Sequence, residues 1–318
     1  MNTIFNMKLA STIALLICGM SVASAQNFPV KPVRILATEP GAAADVAARA
    51  IAVGLTARFG QQVIVDNRSG VVAIESLIRA APDGYTLLYY GSGLWLAPLM
   101  QRTSYDPVKD LAPVTLATSA PAVLVVNPAV AVKSVKDLIA LAKARPGELN
   151  YGSGGAGSTP HLAAELFKSM AGVNIVRVAY KGVGPALNSV ISGEIQLLFA
   201  TTASVGPHVK SGRLRAVAVT SARPSALVPE LPTVASAVPG YELTQLQGIF
   251  APAKTPAPIV KRFYQEISGV LGQTDVKERF LTLGTEAVGG SPEALSAAIK
   301  AEMSRMGKLF KEAGIRPE

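Results

Sequence analysis

The residues best suited to chemistry in this 318-residue chain are glycines and hydroxyls gathered where helices begin. Gly152-Ser153-Gly154-Gly155-Ala156-Gly157-Ser158-Thr159-Pro160 follows a strand-like run and opens a helix-like one. Thr159 and Pro160 read as an N-cap and N1 pair. Unbonded first-turn N–H groups, the positive end of a helix dipole and small side chains suit such a loop to an anion. The loop also matches G-x-G-x-x-G, but a dinucleotide site wants an acid at the end of the next strand. Residues 175–181 offer Arg177 and Lys181 instead, and no Gly-Lys-Ser/Thr follows for a phosphate loop.

Two further loops have the same layout. In Thr38-Glu39-Pro40-Gly41-Ala42-Ala43-Ala44-Asp45, small side chains let a ligand approach the backbone and Asp45 is placed to cap a helix. An ordinary capped helix fits that spacing equally well. Tyr180-Lys181-Gly182-Val183-Gly184-Pro185 puts a lysine beside a glycine turn, where it either pairs with a carboxylate or is simply solvated. Catalytic groupings are sparse. The only histidines, His161 and His208, form no metal-binding pair, and neither G-x-S-x-G nor H-E-x-x-H occurs. His161, in the first turn after the glycine loop, either donates to a ligand or packs the helix start.

The elements that must position these loops alternate between strand and helix. Strands are expected over 33–38, 62–66, 85–90, 111–116, 122–127, 149–151, 175–180, 195–200, 214–220 and 246–251. Helices are expected over 45–59, 74–80, 135–144, 160–170, 185–192, 206–211, 257–271, 275–283 and 292–313. Apolar strands alternating with helices imply parallel sheets covered on both faces. In such sheets ligands sit at the carboxyl ends of strands, where the three loops fall. Four prolines over 224–239 predict a long irregular connection. From there to the end, apart from the strand at 246–251, the pattern is helical, with Ser291 and Pro292 opening the last helix.

The N-terminus reads as a cleaved secretory leader over 1–25: Lys8, then an apolar run over 9–20, then Ala23-Ser24-Ala25. The run is short of the ~20 residues that span a bilayer. Cys18 is the only cysteine, and Ile17 before it is not the small residue that lipid attachment needs. The processed chain therefore has neither disulfides nor thiolate chemistry, and its length supports two domains without them. The 30 basic and 21 acidic side chains give +9, and loss of Lys8 leaves +8. That field attracts anions. Scattered basic residues, few aromatics and export argue against nucleic acid.

Several stretches together resemble the solute receptors of tripartite tricarboxylate transporters, the Bordetella-uptake-gene receptor family. They are Ala81-Pro82-Asp83-Gly84-Tyr85-Thr86-Leu87-Leu88, Tyr105-Asp106-Pro107-Val108-Lys109-Asp110-Leu111-Ala112-Pro113-Val114-Thr115, residues 162–173, Tyr180-Lys181-Gly182, residues 214–221 and Leu231-Pro232-Thr233-Val234. The match spans the processed chain, and its specificity lies in their order and spacing. The resemblance implies a periplasmic binding protein fold: two α/β lobes around a ligand cleft, joined by a two-crossing hinge. Lobe one is expected at 28–121 plus 249–318 and lobe two at 122–248, with crossings carried by 111–127 and 246–251. It further implies a carboxylate gripped by the first loop of lobe one and the glycine loop of lobe two, hinge closure, no cofactor, and no catalysis. The expected partners are the large and small membrane subunits of a transporter, with the receptor itself a monomer.

The expected ligand-binding set is Thr38, Glu39, Gly41, Ala42, Ala43, Trp95, Ser153, Gly154, Gly157, Ser158, Thr159, His161, Tyr180 and Lys181. Three departures from the family pattern bear on the ligand. Thr38 and Ala42-Ala43-Ala44 stand where the family has an aromatic residue and hydroxyls. Ser69-Gly70-Val71-Val72 replaces a glycine-rich loop, and Ala200 replaces a frequent acid. Glu39 would repel a second carboxylate, and Trp95 either walls the pocket or belongs to the core. These favour a monocarboxylate or an aromatic acid over citrate. An exported hydrolase or isomerase would need a nucleophile–base pair in the cleft. A sensory binding module would share every feature of the receptor.

Overall fold

The computed structural model describes residues 28–312 other than 39, 41, 42, 69 and 156. The expected leader over 1–25 lies outside them. In chain order the first elements are β1 (Val33–Ala37), α1 (Ala43–Phe59), β2 (Val63–Asn67), α2 (Gly70–Ile78), β3 (Thr86–Gly91), α3 (Gly93–Met100) and β4 (Leu111–Val126). There follow α4 (Val135–Ala144), β5 (Asn150–Ser153), α5 (Thr159–Ala171), β6 (Val176–Ala179), α6 (Val183–Ser192), β7 (Leu197–Thr201), α7 (Thr202–Lys210) and β8 (Arg215–Val219). After one 3-10 turn at Val234–Ser236 come β9 (Thr244–Pro252), α8 (Ala257–Leu271), α9 (Thr274–Thr282), β10 (Glu286–Gly290) and α10 (Pro292–Glu312).

The strands run in the order β2-β1-β3-β9-β4-β7-β5-β6, with β10 and β8 also paired to β4. β1 lies parallel to β2 and β3, and β5 lies parallel to β6 and β7. The expectation of purely parallel sheets is corrected in the middle. There β9 runs antiparallel to both β3 and β4, and β4 runs antiparallel to β7. The two strands expected at 111–116 and 122–127 are one continuous strand. Its first part pairs with β9 and β10, and its second part with β7 and β8. A single strand, β4, is thus shared by two sheets, with β9 beside it as far as Pro121↔Thr244.

Two elements escaped the sequence pattern. α3 contains Pro98 and opens on glycine, both poor helix signals, yet it buries Leu94, Trp95 and Leu96. β10 carries two glycines and pairs with β4 through a register shift. Neither sheet has a wholly private core. One cluster holds Ile35, Leu87, Ile249 and Phe263, another Val125, Val190 and Leu198. A third joins Leu36, Leu88, Trp95 and Phe250 to Leu124, Phe167, Phe199 and Tyr241, and includes Leu295, Ile299, Met306 and Leu309 of α10.

Gly248 lets α10 close on β9, because a Cβ there would lie 2.7 Å from Leu295 Cδ2 and 3.1 Å from Phe250. Gly248→Ala is therefore expected to cost about 1–3 kcal/mol by overpacking, read as a lower denaturant midpoint. In a Leu295→Ala background the same change costs less, because the space it needs has been opened.

Candidate functional site

The parallel strands β5 and β6 lie side by side, with Ser153 in register with Ala179. β5 finishes at Ser153, which is fully buried. Its Oγ accepts from Arg177 Nε at 2.7 Å and donates to the Gly154 carbonyl at 3.1 Å, which also accepts from Arg177 at 2.8 Å. Arg177 reaches across from β6, where it is in register with Tyr151. This charge shapes the loop from behind and does not project freely. Gly154 also touches the next glycine loop, since a Cβ on it would lie 3.7 Å from Gly182 Cα.

Further along, the Gly157 N–H donates to His161 Nδ1 at 3.0 Å. His161 is buried, and burial first, then the nearby Arg177 charge, pushes its pKa down to about 4. Nδ1 is an acceptor here, so the proton of the neutral ring sits on Nε2. Gly157 has a φ of +76°, and a Cβ on it would collide with Met100 Cε of α3. Glycine is required there both for the backbone conformation and for that close approach.

Helix α5 starts one residue earlier than its sequence suggests. Ser158, not Thr159, is the N-cap, and Pro160 lies in the first turn. The Ser158 hydroxyl makes no capping bond. It and the Tyr180 hydroxyl are buried without a hydrogen-bond partner among the described residues. Two such groups facing nothing polar are uncommon in a folded chain.

Thr159 and Gly157 help to line a cavity of about 320 Å³. Its other walls are Ser92, Gly93 and Met100 from the end of β3 and from α3, Thr244 and Gln245 from β9, and Glu302 from α10. The cavity thus lies at the carboxyl ends of β3 and β5, where open α/β sheets hold ligands. Glu302 is 5% exposed and accepts from Trp95 Nε1 at 2.8 Å. Burial raises its pKa against the lowering effects of Trp95, Arg305 and Ser92. Thr244 is 7% exposed, and its hydroxyl has no partner among the described residues.

The remaining expected residues are distributed as follows. Thr38 is half-buried, and its carbonyl accepts from Asn67 Nδ2 at 2.6 Å. Asn67 donates also to Asp45 at 2.8 Å, and Asp45 accepts from Arg49 at 3.0 Å, so Asp45 ties the first loop to the end of β2. Glu39, Gly41 and Ala42 lie outside the described residues, and Ala43 opens α1. Trp95 is fully buried with its ring against Phe250 at 6.1 Å, which places it in the core and not on the cavity wall. Lys181 is exposed beside Gly182.

Sequence reasoning missed Ser92, Met100, Thr244, Gln245 and Glu302. One signal was present: Glu302 interrupts the apolar stripe Leu295, Ile299, Met306, Leu309 at helical spacing. Among the described residues no group of three or more His, Cys, Asp or Glu is placed to hold a metal, and no helix is long and apolar enough to cross a membrane.

Two sheets joined through β4, with a cavity at the ends of β3 and β5, form a mixed α/β fold of the kind found in periplasmic solute-binding proteins. The model of the tripartite tricarboxylate transporter family receptor matches residues 47–315, and the chain belongs to that family. A UPF0065 protein of Bordetella bronchiseptica is 34% identical over 309 residues, covering 95% of this chain and 92% of that one. The R. palustris protein Rpa4515, solved with adipate, superposes with a TM-score of 0.71 at 36% identity, covering 92% of this chain and all of that one. The periplasmic binding protein BugD superposes with a TM-score of 0.68 at 28% identity, again over 92% and 100%.

The buried neutral His161 makes a pH prediction. Its folded pKa lies below the ordinary value of about 6.5, so its stabilising effect is complete above pH 6.5 and is lost as pH falls toward 4. The stability difference between the parent protein and His161→Gln, measured by urea unfolding, should shrink across that window.

Proposed function

We propose that this receptor captures a small carboxylate in the cleft between its lobes and delivers it to the large and small membrane subunits of a tripartite transporter. The lobes are residues 28–121 plus 249–318 and residues 122–248. The observation that carries this reading is the cavity lined from both sides: by the glycine loop through Gly157 and Thr159, and by α3 through Gly93 and Met100. First-turn N–H groups of α5 and the unpartnered Ser158 and Tyr180 hydroxyls suit a carboxylate, and the Arg177 charge behind the loop adds to the field. The net positive charge speeds the approach of an anion.

Export through the leader over 1–25 puts the receptor in the periplasm, where it acts as a monomer, without a cofactor and without turnover. Knob-like contacts such as Met100 against Gly157 join the lobes around the cavity, so capture couples to hinge closure. The solved relative with adipate supports a carboxylate as the ligand class.

A thermal-shift screen of the processed protein against mono- and dicarboxylates tests this. A ligand at a hundredfold excess over its Kd stabilises the folded form by about 2.7 kcal/mol. Thr159→Phe, at the mouth of the cavity, should abolish the shift while leaving the circular dichroism spectrum unchanged. Turnover of a carboxylate in place of reversible binding would overturn the receptor reading.

A further inference from the structure

Glu302 is the only ionisable side chain among the described residues lining the cavity, and no lysine or arginine shares the wall with it. Its carboxylate accepts from Trp95 Nε1 at 2.8 Å and is also engaged by the Ser92 side chain. Arg305 acts on Glu302 from nearby and also donates to Glu242 at 3.3 Å, but it does not line the cavity. A second polar residue, Thr244, lines the same space. The Thr244 hydroxyl, on a residue more than nine-tenths buried, finds no partner among the described residues. The remaining wall near them is apolar, through Leu96, Met100, Leu162 and Leu243.

Resting on the carboxylate-receptor reading, we infer that Glu302 and Thr244 read the end of the solute remote from its carboxylate, and that this end carries a hydrogen-bond donor. The solute class is then a monocarboxylate bearing an amine, amide or hydroxyl, and not a dicarboxylate. Two carboxylates cannot share a buried site without forcing a proton onto one of them. A donor, by contrast, satisfies the acceptor that Glu302 presents and the hydroxyl of Thr244 in one step, and the apolar wall takes the methylenes between. Specificity of this kind is large because a mismatched ligand leaves buried polar groups unpaired.

Calorimetric titration with hexanoate, 6-aminohexanoate, 6-hydroxyhexanoate and adipate, and with the corresponding four-carbon series, tests the assignment at pH 7.5. The parent protein should bind the amino or hydroxy acid at least tenfold more tightly than the dicarboxylate of equal length. Glu302→Gln should reduce that ratio at least tenfold. Thr244→Val, which removes a hydroxyl without breaking an internal bond, should weaken only the donor-bearing solutes and guards against misfolding of the first variant. A parent protein that prefers adipate or succinate, or a ratio untouched by both substitutions, overturns the role of Glu302 and Thr244 and leaves carboxylate capture standing. Binding of none of these acids overturns both readings together.

Discussion

The antiparallel pairing of β4 with β9 is the constraint on which the rest of the molecule depends. From Leu111↔Pro252 to Pro121↔Thr244 the two strands stay hydrogen-bonded, and just beyond, β4 passes into the second sheet at Ala122↔Thr201. Any rotation of one lobe against the other must twist this ribbon. Two register shifts, at Pro113/Thr115 and Leu116/Thr118, interrupt the ladder on the β4 side. Irregularities of this kind bend a strand and increase its local twist. The cavity sits at the near end of the same ribbon, since Thr244 and Gln245 both line it. A solute there touches the element that sets the angle between the lobes.

Helix α10 reinforces that arrangement from outside. Leu295 packs on Gly248 of β9, while Arg305 pairs with Glu242 and Ser169 of α5 donates to Glu312. The helix therefore touches the shared strand at one end and the second lobe at the other. On the opposite side of the molecule, Ser225 of the proline-rich connection hydrogen-bonds Glu286 of β10. The two sheets are thus linked by side chains as well as by backbone.

Much of the fold was legible because its strands are uniformly apolar and its loops carry glycine and proline where the chain must turn. The helix over Ala257–Leu271 follows from its periodicity alone. What failed to show was set by tertiary contacts. α3 forms against its own proline because three apolar side chains find a buried slot, and β10 forms despite its glycines because β4 offers a free edge. The site was legible in a different sense. The glycine loop and its neighbours were visible, but not which of their groups are already engaged. Arg177 bonds Ser153 and the Gly154 carbonyl, His161 accepts from the Gly157 N–H, and Asp45 accepts from Asn67, engagements that the local sequence does not announce. The cavity's far wall comes from β9 and α10, about ninety and a hundred and fifty residues away in sequence, a juxtaposition that no local pattern announces.

The position of α10 has a consequence for the order in which the protein is made. The core cluster common to both sheets is completed by Leu295, Ile299, Met306, Leu309 and Phe310. A chain growing from its N-terminus has every strand before it has these residues, yet it cannot close that cluster until almost the last of them has emerged. Until then the shared cluster lacks the wall that α10 supplies. A truncation of the final helix would therefore remove part of the shared core and not merely a tail.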